Sequence, residues 1–297
     1  MDLATLIPLV VKAIPLVLKA SILLTVFTLG LKTSIEDVLS LLRRPSLLLR
    51  SLLAMSVVMP LLAVALDAAF KFHPAVEIAL VALALSPVPP VLPKKELKAG
   101  GSSSYGFGLL VVAGLFAIVF VPLALEVVER VFAVPLQLSP GQVAQIILLT
   151  VLAPLGLGLL VKSVAPTLAE RIAKPLSSVA TVLLLAGALP ILFTKWPAIV
   201  SLIGNGTLAA IVVFILVGLT AGHLLGGPDP ADRTVLALST ASRHPGVALA
   251  IASANFPQAK LVLPAVLLYL ITGAILTIPY LKWRKSKTQV AGPPIPR

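Results

Sequence analysis

Ser86-Pro87-Val88-Pro89-Pro90-Val91-Leu92-Pro93-Lys94-Lys95 interrupts one apolar stretch of the chain, and Ser242-Arg243-His244-Pro245-Gly246 interrupts another. Proline has no N–H and blocks the carbonyl four residues earlier, so neither stretch continues as one helix. In lipid the freed amides and carbonyls must find protein or a watery cavity, which makes such breaks markers of binding sites. Both breaks carry cations, Lys94 and Lys95 in the first and Arg243 in the second.

The surroundings of the breaks are membrane-like. Hydrophobic residues make up 59% of the 297 and charged residues only 11%, too few to coat a water-facing surface. The fold class expected is all-α and polytopic, with about nine spans of roughly 20 apolar residues. They run near 6–31, 47–70, 75–99 (broken), 105–127, 143–164, 176–193, 208–225, 235–256 (broken) and 261–281. The first run has no short apolar core and small-residue cleavage pattern, so it reads as a retained span. Without cysteine there are no disulfides or thiolate metal sites, and His73, His223 and His244 lack ligand spacing. The net charge of +12 lies in short loops and the tail, without the aromatic-flanked basic face that nucleic acid requires.

Loop charges set the orientation. With the C-terminus cytoplasmic, the inner joints hold Lys32, Arg43, Arg44, Lys162, Arg171, Lys174, Arg233, Lys282, Arg284, Lys285 and Lys287. The outer joints then hold only Lys71, Arg130, Lys195 and Lys260. The expected location is the cell inner membrane with the N-terminus outside. Residues 1–285 read as a single transmembrane domain, and 286–297 as a disordered tail.

The breaks fall in the third span of the first four and the third of the last four, five spans apart. An odd offset reverses direction, so parity predicts a first repeat at about 5–127, a linking helix at about 143–164 and an inverted repeat at about 176–282. Inverted repeats with discontinuous helices are the architecture of secondary transporters, which bind their cargo where the broken helices meet.

The order of Phe27-Thr28-Leu29-Gly30-Leu31, the acidic Glu36-Asp37 loop, Arg44-Pro45, Val58-Met59-Pro60-Leu61, the proline-rich break and Pro245-Gly246-Val247-Ala248-Leu249-Ala250 resembles the bile acid:sodium symporter family, in a nine-span form. The resemblance implies a panel domain packed on a core domain in which the broken helices cross. It also implies sodium ligands, and there the chain departs. Where the family has a glutamate and then a Gln-Asn pair, this chain has Ser239, Arg243 and His244; Pro93 and Lys94 fall near the other ligand positions. Sodium requires several oxygen ligands, and cations remove ligands and add repulsion. The inherited sodium sites are therefore expected to be lost, no cofactor is expected, and a positive side chain stands in for the ion at the freed carbonyls.

The candidate substrate-binding residues are Arg243, His244, Ser242, Ser239, Lys94 and Pro90. Arg243 lies too deep to reach headgroups, and its planar donors suit a carboxylate, sulfate or phosphate. A structural bond from Arg243 to Glu96 or to freed carbonyls is the alternative. Lys94 and His244 are candidates for proton coupling. The function expected is alternating-access transport of a small or amphipathic organic anion across the bilayer. A sodium-coupled symporter and a non-transporting anion receptor remain the alternatives; no nucleophile–base pair points to an enzyme.

Overall fold

The computed structural model describes residues 3–132 and 138–290. It is all-α. Helix α1 covers Leu3–Gly30, and a short α2, Ile35–Leu39, starts at a capping box between Ser34 and Asp37. Helix α3, Pro45–Leu53, continues through a π-helical turn at Ala54–Val58 into α4, Met59–Ala69. Then come α5 at Pro74–Leu85, α6 at Leu92–Lys98 and the long α7 at Ser103–Phe132. Helix α8, Pro140–Ile147, passes through a second π-helical turn into α9, Ala153–Val164. The remainder is α10 at Pro166–Ser201, α11 at Thr207–Leu225, α12 at Pro230–Ala241, α13 at Pro245–Asn255 and α14 at Val262–Val290. Helix α14 thus carries the chain past Ser286 into the segment read as a disordered tail, whose residues 291–297 lie outside those described.

Among the described residues seven helical runs are long and apolar enough to cross a membrane, which makes this a multi-pass membrane protein. The outer faces of these runs keep large apolar side chains exposed, such as Leu61, Val119, Leu185, Phe193 and Leu224, as lipid contact requires. The two other spans expected from the sequence are each divided into two short helices. Twelve residues, the length of α5 and of α12, rise about 18 Å, less than the hydrocarbon thickness.

The divisions fall where proline dictates. Pro87, Pro89 and Pro90 stop α5, while Pro93 sits harmlessly in the first turn of α6. Pro245 opens α13 directly after the extended residues Ser242 and His244.

The helices gather into two packing groups. Helices α1, α9 and α10 lie against one another, with Ser21 Oγ of α1 donating to Ala180 O of α10 at 2.8 Å. Gly30 and Gly158 let α1 and α9 touch backbone to backbone, because a Cβ on Gly158 would lie 2.8 Å from Gly30 Cα. The large continuous core lies in the second group, where α5, α7, α11, α12, α13 and α14 bury Leu83, Leu109, Phe214, Leu238, Val247 and Val266.

Candidate functional site where the two helix breaks meet

The breaks are in direct contact. His244 N donates to Pro87 O at 2.9 Å, so the backbone of the second break satisfies a carbonyl freed by the first. Tyr269 Oη of α14 donates to Ala241 O at 2.6 Å, which satisfies a carbonyl at the end of α12.

Arg243 completes this junction. It is 1% exposed, and its Nη1 donates to Ser86 O at 3.1 Å while Nη2 donates to Met55 O at 2.5 Å. Met55 lies in the π-helical turn between α3 and α4. In the five-residue register of such a turn the donor to Met55 O would be residue 60, and Pro60 has no N–H. One guanidinium therefore ties together α12–α13, the end of α5 and the α3–α4 turn. Its Nε has no hydrogen-bond partner among the described residues, and Arg243 also lines a narrow cleft with Met55, Ser56, Ser86, Pro87 and Phe116.

His244 is the N-cap of α13. Its Nδ1 accepts from Gly246 N at 3.1 Å and from Val247 N at 3.3 Å. An accepting Nδ1 carries no proton, so the ring's proton sits on Nε2, which is buried and without a partner among the described residues. The amides that a helix start could offer an anion are therefore engaged here by His244, and Pro245 contributes none.

Glu96 of α6 is not paired with Arg243. Its Oε1 accepts from Ser239 Oγ of α12 at 2.6 Å, and both residues are 1% exposed. Its neighbours on α6 diverge. Lys95 Nζ donates to Thr277 Oγ1 of α14 at 2.6 Å, and Lys94 Nζ donates to Ser177 Oγ and Thr181 Oγ1 of α10, each at 3.0 Å. Lys94 thus leaves the junction and reaches across to the α1–α9–α10 group. Ser242 is half-buried in the extended link, and Pro90 is buried in the first break.

A fixed contact braces the same helices at their ends. Arg44, just before α3, pairs with buried Asp232 in the first turn of α12 at 2.5 Å. The Asp232 carboxylate, as hydrogen-bond acceptor and as counter-charge, holds the Arg44 guanidinium proton above its ordinary range.

Of the six candidate residues, the structure brings Arg243 and His244 to the first break, sets Ser239 on Glu96, and separates Lys94 from them. Sequence reasoning did not find Met55, Ser177, Thr181 or Thr277 as partners. Pro60 was the available signal for Met55; the hydroxyls carried none.

The Sodium Bile acid symporter family matches residues 20–202, from α1 to the end of α10. The matched range includes the first break and ends before the second. No curated protein gave a significant match.

Proposed function

The chain belongs to the sodium bile acid symporter family, whose members are membrane transporters and not enzymes, and from that premise we propose that it moves a small or amphipathic organic anion by alternating access without the family's sodium sites. Helices α1, α9 and α10 act as the panel and the second packing group as the core, with α5/α6 and α12/α13 counted as two further crossings of a nine-span, inverted-repeat protein. The repeats are residues about 5–127 and 176–282, joined by a linking helix at about 143–164, in the inner membrane with the N-terminus outside and the C-terminus cytoplasmic.

The observation that carries the anion reading is the placement of Lys94. Its ammonium stands at the seam between core and panel with two neutral hydroxyls, Ser177 and Thr181, and no carboxylate within ion-pair distance among the described residues. A partly exposed cation whose hydrogen bonds among the described residues go to neutral hydroxyls, at the interface of two moving groups, suits an incoming carboxylate or sulfate. Arg243 supports the loss of sodium dependence. The freed carbonyls of Ser86 and Met55 accept from its guanidinium, and the residues at the family's ligand positions do not fit a sodium ion.

The test is uptake of labelled organic anions into proteoliposomes, with sodium and pH gradients imposed separately. Uptake is expected to be the same in sodium and in choline. Lys94→Ala is expected to raise KM about 10-fold, the worth of one charge-assisted hydrogen bond, without loss of folded protein. Accumulation driven by a sodium gradient would restore the sodium-coupled reading, and no uptake under any gradient would favour an anion receptor.

A further inference from the structure

Glu96 is a buried acid that the reading above leaves without a role. Its Oε1 has one donor, the Ser239 hydroxyl, and its Oε2 has no hydrogen-bond partner among the described residues. The space beside Oε2 is made by Gly106 of α7, where a Cβ would stand 2.9 Å from that oxygen, with the methyls of Val235 behind it. No cation lies within ion-pair distance of it among the described residues. Lys95, the charge nearest on its own helix, is tied to Thr277. Helix α7 presents Tyr105, whose hydroxyl is bonded to Ser51 Oγ at 2.7 Å, and α12 carries Asp232, which is paired with Arg44.

An ionised carboxylate enclosed in this way would have one hydroxyl to balance its charge, and burying an unpaired charge costs several kcal/mol. A sodium ion does not resolve this. It needs several oxygens, whereas the open face of Glu96 offers a glycine and valine methyls, and the residue before it is a lysine. A proton needs only the carboxylate itself. An intramembrane acid on a broken helix, joined by one hydrogen bond to the other broken helix, is also placed where a change in packing exposes it.

We propose that Glu96 carries the coupling proton of this transporter. The carboxylate takes up one proton to become the neutral acid when the α6–α7–α12 site closes, and it releases that proton when the site opens to water on the other side. No other bond changes. A monovalent anion moved together with this proton transfers no net charge. The inference rests on the anion-transport reading for its physiological sense, and Ser239 and Lys94 act in it as neighbours, not as metal ligands.

The test has one arm that needs no substrate. Infrared spectra of purified protein in liposomes at neutral pH are expected to show the carbonyl stretch of a protonated carboxyl that is missing in Glu96→Gln, a variant that copies the shape of the neutral acid. The second arm is uptake of a panel of short carboxylates and taurocholate. Accumulation driven by a pH gradient should fall in the variant to the level without a gradient, while exchange of internal for external anion is retained. Identical infrared spectra of the two proteins, undiminished pH-driven accumulation in Glu96→Gln, or collapse of the carboxyl band on adding sodium would each overturn the proposal. If the wild type takes up none of the anions, the anion reading fails, and the infrared comparison still decides whether Glu96 holds a proton.

Discussion

Arg243→Ala is expected to lose both stability and transport. The substitution removes the donors to Ser86 O and Met55 O, two carbonyls that proline-broken and π-helical backbone leaves without intrahelical partners. Each buried carbonyl left unsatisfied costs about 1–3 kcal/mol, so the pair costs about 2–6 kcal/mol. That is a large share of the 5–15 kcal/mol typical of a folded protein. Thermal unfolding of the purified variant should show a clear drop in midpoint, with uptake reduced to background. Arg243→Lys keeps the charge but offers a point donor in place of a planar fork, so an intermediate midpoint is expected. A substrate clamp with no structural role would behave differently: the midpoint would hold and only KM would rise. Because His244 already engages the amides of Gly246 and Val247, the structure favours the first outcome.

Gly222→Leu is expected to prevent folding. Helices α11 and α12 approach so closely here that a Cβ on Gly222 would overlap Leu236 O and lie 2.6 Å from Ala237 Cα. One turn earlier, a Cβ on Gly218 would lie 2.9 Å from Ala241 Cα. This small-residue face lets the backbones meet, and α12 is the half-helix that ends at the second break. Because backbone and not a flexible side chain stands in the way, even alanine forces the helices apart at about 1–3 kcal/mol, and leucine costs more. Size-exclusion profiles in detergent should show aggregated or absent protein for Gly222→Leu and a reduced folded fraction for Gly222→Ala. Gly156→Leu is the control. That glycine of α9 has nothing within 4 Å of a built Cβ, so its variant should elute as the wild type does.

Both effects arise at positions whose local character the sequence shows and whose partners it does not. That the chain is a multi-pass membrane protein follows from composition. The places where α5 and α12 stop follow from Pro87, Pro89, Pro90 and Pro245, because a missing N–H acts on the backbone within four residues. The family was legible from the order of short motifs along the chain, and the match over residues 20–202 agrees. The π-helical turn at Ala54–Val58 was half-legible, since Pro60 announces a disturbed ladder but not its form.

The destinations of the charged side chains were a different matter. Lys94, Lys95 and Glu96 are consecutive, yet they reach α10, α14 and α12 respectively, since successive residues on a helix point about 100° apart. Arg243 and Met55 are 188 residues apart in sequence, and nothing local to either one specifies the other. The sequence alone determined the membrane, the two breaks and the presence of cations beside them, because hydrophobic length and proline act locally. Only the tertiary structure decided that Arg243 fastens the breaks, that Lys94 crosses the seam and that Glu96 rests on Ser239, because a side chain's partner depends on which helices pack against its face.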